Sequence, residues 1–186
     1  NDFAFDDPSR TYQSEEVTMF EGKVDEKGNA KVKAEISANN YAPGMLTANF
    51  VVRAFEESGD FSIDRFSIPY APYEAFVGIK PPKGENTWGA LMTDKEHSVE
   101  VVTLTPGGKP IARKNLKARV YKVRWSWWWH RGDENLESFL SSNETKLFTD
   151  TILTTGTNGK GKFSFRIPYP EWGRFFILVE DADGGH

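Results

Sequence analysis

Apolar and polar residues alternate with period two along much of the chain. The cleanest case sets Ala30, Val32, Ala34 and Ile36 against Lys31, Lys33, Glu35 and Ser37. Such a pattern predicts a strand with one buried and one wet face. A strand-like run over 17–24 precedes it across Asp25-Glu26-Lys27-Gly28-Asn29, a hairpin-type turn whose Gly can take positive φ. A turn cluster at 39–44 leads to a further face of Leu46, Ala48, Phe50, Val52 and Ala54. Glu57-Ser58-Gly59-Asp60 then turns the chain again. Beyond it, Phe61 and Ile63 hold one phase while Phe66 and Ile68 hold the other. A bulge near Asp64-Arg65 is expected to reconcile them, and Pro69 and Pro72 are expected to end the element. These strands number about four, against about seven in a complete immunoglobulin or fibronectin sandwich. Either strands are missing at the N-terminal side, or the polar residues 1–14 supply an irregular edge.

A second set of strands starts after Ala71-Pro72-Tyr73. Short strands are expected over 75–80 and 88–92, and a longer one over 97–105, closed by the Pro/Gly run at 106–110. An intensely aromatic strand is expected over 116–129, and others over 146–154, 161–167 and 173–180. In the last two, Phe163, Phe165 and Ile167, then Phe175, Ile177 and Val179, mark the inward faces. Leu136, Phe139 and Leu140 are spaced i, i+3, i+4, which suits one or two helical turns inside a loop. Seven strands over about 110 residues match one complete β-sandwich. The expected fold class is all-β. It comprises two consecutive immunoglobulin- or fibronectin-like sandwiches, an incomplete one over 1–73 and a complete one over 74–186.

Composition narrows the function. Of 186 residues, 38% are hydrophobic and 14% aromatic, enough for packed cores and too much for a disordered chain. The net charge of -4 comes from interspersed signs, so no basic footprint for nucleic acid exists. There is no cysteine, which removes disulfides and thiol chemistry and suits an exported bacterial protein as well as a cytosolic one. The opening Asn1-Asp2-Phe3 has no basic and apolar leader after it, and no apolar run approaches the roughly 20 residues that span a bilayer. An excerpt from a mature protein is expected.

Three segments together resemble one family. Phe20-x-Gly22-x-Val24-Asp25-x-x-Gly28-x-Ala30 is similar to the strand–turn–strand of a macroglobulin-like domain. The strand from Tyr121 through Trp125, Trp127, Trp128 and Trp129 resembles one in bacterial alpha-2-macroglobulins. Trp172-Gly173-Arg174-Phe175, followed by Val179-Glu180-Asp181 and Gly184-Gly185-His186, resembles the close of a domain in the same family. The resemblance spans most of 17–186. It implies macroglobulin-like modules of a large exported parent that traps proteases, a broad-spectrum endopeptidase inhibitor held in the periplasm as a lipoprotein. Many such parents use a thioester, which needs a Cys that this chain lacks. The modules are then expected to be non-enzymatic scaffold. The implied partners are neighbouring domains of the same chain, with proteases engaged only through the full-length parent, and with neither nucleic acid nor membrane contacted by these residues.

Other motifs have bland readings. No Gly-x-Ser-x-Gly elbow, HExxH or paired His occurs, so no catalytic residue, metal ligand or cofactor is assigned. His130 and the Arg131-Gly132-Asp133 tripeptide read as a polar turn, and Asn143-Glu144-Thr145 as an accessible glycosylation pattern. Gly156-Thr157-Asn158-Gly159-Lys160-Gly161 reads as a hairpin turn, not a phosphate loop. Asp181-Ala182-Asp183-Gly184 has calcium-like spacing without the later acidic ligands. The candidate contact residues are Tyr70 and Tyr73 at the junction, and Trp125, Trp127, Trp128 and Trp129 on the aromatic strand. A strand so apolar on one side needs cover, from its own core or a neighbouring module. The competing reading is a carbohydrate-binding or adhesion module that uses those rings as a platform. In the junction 68–74, Pro69 and Pro72 restrict the chain, so a fixed rather than hinged pair is expected.

Overall fold

The computed structural model describes residues 2–10, 12–33, 35–38, 42–56, 58–123, 146–182 and 185. Among them there are eight strands and no helix. They are β1 (Leu46–Phe55), β2 (Phe61–Tyr70), β3 (Phe76–Lys80), β4 (Glu96–Leu104), β5 (Leu116–Val123), β6 (Lys146–Leu153), β7 (Lys160–Arg166) and β8 (Arg174–Glu180).

Strands β1 and β2 form an antiparallel ribbon. The other six make two three-stranded sheets, ordered β3-β4-β7 and β6-β5-β8, with every pairing antiparallel. Strand β7 lies over β6 and β3 over β8. The chain changes sheet between β4 and β5, between β6 and β7, and between β7 and β8, the crossovers of a Greek-key sandwich.

Alternation explains the core. In β7, Phe163, Phe165 and, just past its end, Ile167 are buried while Lys162, Ser164 and Arg166 face water. Val99 and Val101 of β4 and Leu116, Ala118 and Val120 of β5 meet them from the two sheets. Phe175 and Ile177 of β8 pack on this cluster and Val179 completes it. His97 shares the inward phase of β4, 5% exposed, with Nε2 2.7 Å from the Met92 carbonyl and its ring tilted on Phe165.

Several expectations need correction. The register of β1 with β2 is unbroken from Leu46↔Tyr70 to Phe55↔Phe61, so no bulge lies at Asp64-Arg65; the register shift is between β5 and β6, where Val120 faces Thr149 and Tyr121 faces Leu147, leaving Phe148 of β6 unpaired. Apolar side chains therefore occupy both faces of the ribbon. Phe50 stacks on Phe66 at 4.9 Å on one face, and Phe55 meets Phe61 at 5.8 Å on the other. Pro69 does not end β2 but pairs with Thr47 inside it, because both strands of a two-stranded ribbon are edges and an edge tolerates proline. Residues 17–24 and the described part of 30–37 form no strand, and Val32 is exposed. The turn between them does close, with Asp25 N donating to the Asn29 carbonyl at 2.8 Å, but alternation makes a strand only where a partner takes its backbone groups. Residues 88–92 form no strand; a turn closes over 86–89, where Gly89 has φ of 69° and Asn86 Oδ1 accepts from Trp88 N and Ala90 N. Residues 74–186, where seven strands are expected, thus hold six described strands. The helical hint at 136–140, His130, the Arg131-Gly132-Asp133 tripeptide and Asn143 lie outside the described residues.

The face assignment is testable in urea melts. Phe165→Ala empties a core site and should cost about 3–5 kcal/mol. Arg166→Ala removes only an exposed side chain, paired with Asp94 at 3.2 Å, and should cost under about 1 kcal/mol.

Candidate functional site

The densest meeting of distant segments lies where the N-terminal residues, the end of the ribbon and the last strand converge. Phe3-Ala4-Phe5 runs extended along the outer edge of β3. Ala4 N donates to the Ile79 carbonyl and Ile79 N donates to the Ala4 carbonyl, each at 2.9 Å. This exchange is the hydrogen-bonded pair of an antiparallel ladder. The local sequence makes room for it: a Cβ on Gly78 would sit 2.6 Å from the Phe5 ring, so only glycine lets that ring lie on the strand. Lys80 holds the far end, with Nζ 3.2 Å from Asp2 and 5.9 Å from the Phe3 ring centre.

The segment Asp7-Pro8-Ser9-Arg10 then turns into the junction. Asp7 and Ser9 are buried. Asp7 Oδ1 accepts from Ser9 N at 2.8 Å and from Ser9 Oγ at 2.5 Å, while Asp7 N donates to the Pro43 carbonyl at 2.8 Å. A buried carboxylate needs this density of donors. Arg10 supplies the counter-charge, with Nε 3.2 Å from Asp7 Oδ2, and its Nη2 reaches Glu180 Oε1 at 3.5 Å. Glu180 in turn pairs with Arg119 of β5. One guanidinium therefore joins the N-terminal segment to β8.

Both junction tyrosines take part, through hydroxyls rather than ring faces. Tyr73 donates to the Ala42 carbonyl at 2.8 Å, hydrogen-bonds with Arg10, and sets its ring edge-on to Phe76 at 5.9 Å. Burial raises the Tyr73 hydroxyl above the ordinary tyrosine range, opposed by the Arg10 guanidinium. Tyr70 donates to the Ile36 carbonyl at 3.2 Å. Gly185 N donates to the Ala75 carbonyl at 2.8 Å, in space that a Cβ would lose to the Tyr73 ring.

A second polar knot closes the same end of the sandwich. Buried Thr103 and Thr155 share a 2.7 Å hydrogen bond, Thr103 Oγ1 donates to the Ile111 carbonyl, and Arg113 N donates to Thr155 Oγ1 at 2.9 Å. Arg113 is ion-paired with buried Asp181, so the first carboxylate of the calcium-like run is engaged in the fold. Asp183 and Gly184 lie outside the described residues. The run at 156–161 forms the hairpin turn, with Gly156 N donating to the Lys160 carbonyl at 3.0 Å and Gly159 at φ of 69°. Among the described residues, no three His, Cys, Asp or Glu side chains are grouped to hold a metal.

Of the candidate contact residues, Tyr70 and Tyr73 are brought into this joint, while Trp125, Trp127, Trp128 and Trp129 lie outside the described residues. Sequence reasoning missed the N-terminal segment, reading 1–14 as an irregular edge of the first module at most; residues 3–5 edge β3 instead. The available signal was Phe3-Ala4-Phe5 followed by Asp7-Pro8-Ser9-Arg10, a strand-sized apolar triplet ahead of a turn.

The bacterial macroglobulin domain 6 family matches residues 78–186. No curated protein matches the chain. Among solved structures, the native conformation of Escherichia coli alpha-2-macroglobulin aligns with a TM-score of 0.57 at 18% identity, covering 99% of this chain and 12% of that one. Trypsin-activated alpha-2-macroglobulin from Escherichia coli aligns at 0.58 and 17%, with the same coverage. Salmonella alpha-2-macroglobulin reacted with methylamine aligns at 0.55 and 16%, again covering 99% and 12%. At such identities the likeness is one of fold, and this chain spans 12% of the length of those proteins. With the family match covering more than half of its residues, the chain belongs to the bacterial macroglobulin domain 6 family.

Proposed function

We propose that these residues are a non-enzymatic scaffold of a large bacterial alpha-2-macroglobulin-like parent, and that their task is to hold two consecutive units, 1–73 and 74–186, at a fixed angle. The carrying observation is the strap at residues 3–10. It pairs with β3 of the second unit through Ala4, bonds the Pro43 carbonyl of the first through Asp7, and reaches β8 through Arg10. The buried ionisable side chains Asp7, His97 and Asp181 each serve a structural partner, which supports scaffold over catalysis. The parent would act on proteases as an endopeptidase inhibitor, outside the cytoplasm and anchored as a periplasmic lipoprotein. These residues would meet neighbouring domains alone and need no cofactor.

Arg10 is the test of the joint. Arg10→Ala leaves Asp7 buried without its cation, a loss worth about 3–5 kcal/mol when a buried pair is broken, with the Ser9 hydrogen bonds keeping it at the low end. Backbone relaxation by NMR should show one tumbling time for both units in the wild type and two in the variant. Two tumbling times in the wild type would sink the fixed-angle reading.

Tyr73 makes the joint pH-sensitive at alkaline pH. Its folded-state pKa is raised, so its contribution is whole below the ordinary value of about 10 and is lost as pH rises through the folded value. At neutral pH, Tyr73→Phe should cost about 0.5–1.5 kcal/mol, the worth of the bond to Ala42. Thermal melts above pH 10 should show that gap shrinking.

The purified chain should leave a panel of serine and metalloproteases uninhibited at micromolar concentration. Stoichiometric inhibition by these residues alone would overturn the scaffold reading.

A further inference from the structure

Residues 25–29 and 56–60 turn the chain with one backbone geometry. Asp25 N donates to the Asn29 carbonyl and Gly28 N to the Asp25 carbonyl, as Glu56 N does to Asp60 and Gly59 N to Glu56. The second turn heads the ladder of β1 with β2, which runs the whole length of both strands. The first heads nothing: among the described residues, no backbone bond joins 17–24 to 30–33. Continued outward in the same register, it would pair Val24 with Ala30, Lys23 with Lys31, Gly22 with Val32 and Glu21 with Lys33. One face would hold Phe20, Gly22, Val24, Ala30 and Val32, and the other the charges. The phase is already set. Phe20 lies over Gly22, whose Cβ would be 2.5 Å from its ring, and Lys33 pairs with Glu35 at 3.0 Å. Both are the same-side i, i+2 neighbours of extended chain. What holds the ladder open is the meeting of Lys23 and Lys31, like charges placed directly opposite, in a two-stranded hairpin that is marginal alone.

We propose that residues 20–33 are a flap whose apolar face docks on the β1–β2 ribbon, and that docking zips the ladder beyond the 25–29 turn. The ribbon offers a matching face. Leu46, Ala48, Phe50, Val52 and Ala54 share it with Phe66, Ile68 and Tyr70, and Ser62 and Asp64 lie at its turn end. Three observations point to this occupant. Tyr70, on that face, donates to the Ile36 carbonyl at 3.2 Å, so the chain just beyond the flap is already tied to the ribbon's open end. Cover is graded from that tie: Leu46, Ala48 and Phe50 are half-buried, while Val52 and Ala54 toward the turn are exposed. The uncovered apolar surface is balanced, with Phe20, Val24 and Val32 exposed by 47%, 60% and 47% against Val52, Phe66 and Ile68 by 49%, 48% and 42%. Both hairpins start from the tied end, so their turns fall together at the far one. A tethered flap outcompetes a second copy through its effective concentration, and Lys23, Lys31 and Lys33 stay in water on its outer face.

The test is amide hydrogen exchange on this chain, followed by NMR. Alternate pairs of an antiparallel ladder exchange hydrogen bonds. The Glu21, Lys23, Lys31 and Lys33 amides should therefore exchange about tenfold or more slower than in unstructured chain. Lys31→Glu turns the like-charged pair into an opposite one and should slow them by a further factor of about three to ten. Because the chain has no cysteine, a nitroxide on Lys27→Cys reports the docking. It should broaden the Phe55 and Phe61 amides at the ribbon turn more than the Leu46 and Tyr70 amides at the open end. Exchange at the unstructured rate in both the wild type and Lys31→Glu would overturn the proposal. So would an unbroadened ribbon turn, or broadening that passes from labelled to unlabelled chains in a mixture, the mark of a second copy. The strap at residues 3–10 is untouched by these changes, so the flap can fail while the scaffold reading stands.

Discussion

An open sheet edge is the constraint around which the rest of the molecule is arranged. Strand β3 pairs with β4 on one side only, and its other side would present unpaired backbone donors and acceptors to any passing strand. The Ala4–Ile79 pair and the Phe5 ring on Gly78 cover it. Once that edge is taken, Asp7 is carried to Pro43, Arg10 to Glu180, and Tyr73 to Ala42. The path of the strap thus fixes where ribbon and sandwich meet. Proline stiffness in the connector is secondary: Pro69 lies inside β2, and what restrains Tyr70 and Tyr73 is the hydrogen bonding of their hydroxyls.

Ribbon and sandwich contrast in how apolar surface is handled. The sandwich encloses its valines, leucines and phenylalanines between sheets. The ribbon shows Val51, Val52, Phe55, Phe61 and Phe66 to solvent on one face or the other. A lone two-stranded ribbon is marginal in water, and cross-strand ring pairs such as Phe50–Phe66 add only about 0.5–1.5 kcal/mol beyond burial. Its order is therefore linked to the joint. Tyr70 of β2 bonds back to Ile36, and the chain leaving β2 at once meets the network around Tyr73.

What could be read from the sequence followed short-range rules. Turns at Asp25–Asn29, Thr105–Lys109 and Gly156–Lys160 share one geometry, each with a glycine at positive φ in the fourth position, and each was marked by that glycine. The inward phase of β7 was equally plain, because both strand faces differ in polarity. The failures came where partner and not pattern decides. Residues 30–37 alternate better than β7 does, yet form no strand among the described residues. Trp88 to Met92 looked strand-like until the Asn86 side chain, two residues upstream of Trp88, is seen capping a turn. The strap was invisible because three apolar residues in an acidic stretch carry no period long enough to count, and its pairing spans 75 residues between Ala4 and Ile79.

The chemistry of the joint differs from that of the core for a physical reason. An apolar joint of the same size would bury well but would tolerate sliding, since dispersion and hydrophobic burial are non-directional. Here a buried carboxylate must meet particular donors or pay heavily for desolvation. Asp7 is satisfied by Ser9 and Arg10, and Arg10 reaches Glu180 in the same arrangement. A displacement of one or two ångströms would part these atoms and leave Asp7 uncompensated. The energy well is therefore narrow in angle even if its net depth is modest. Under the scaffold role proposed above, that is the property a junction between two units would need.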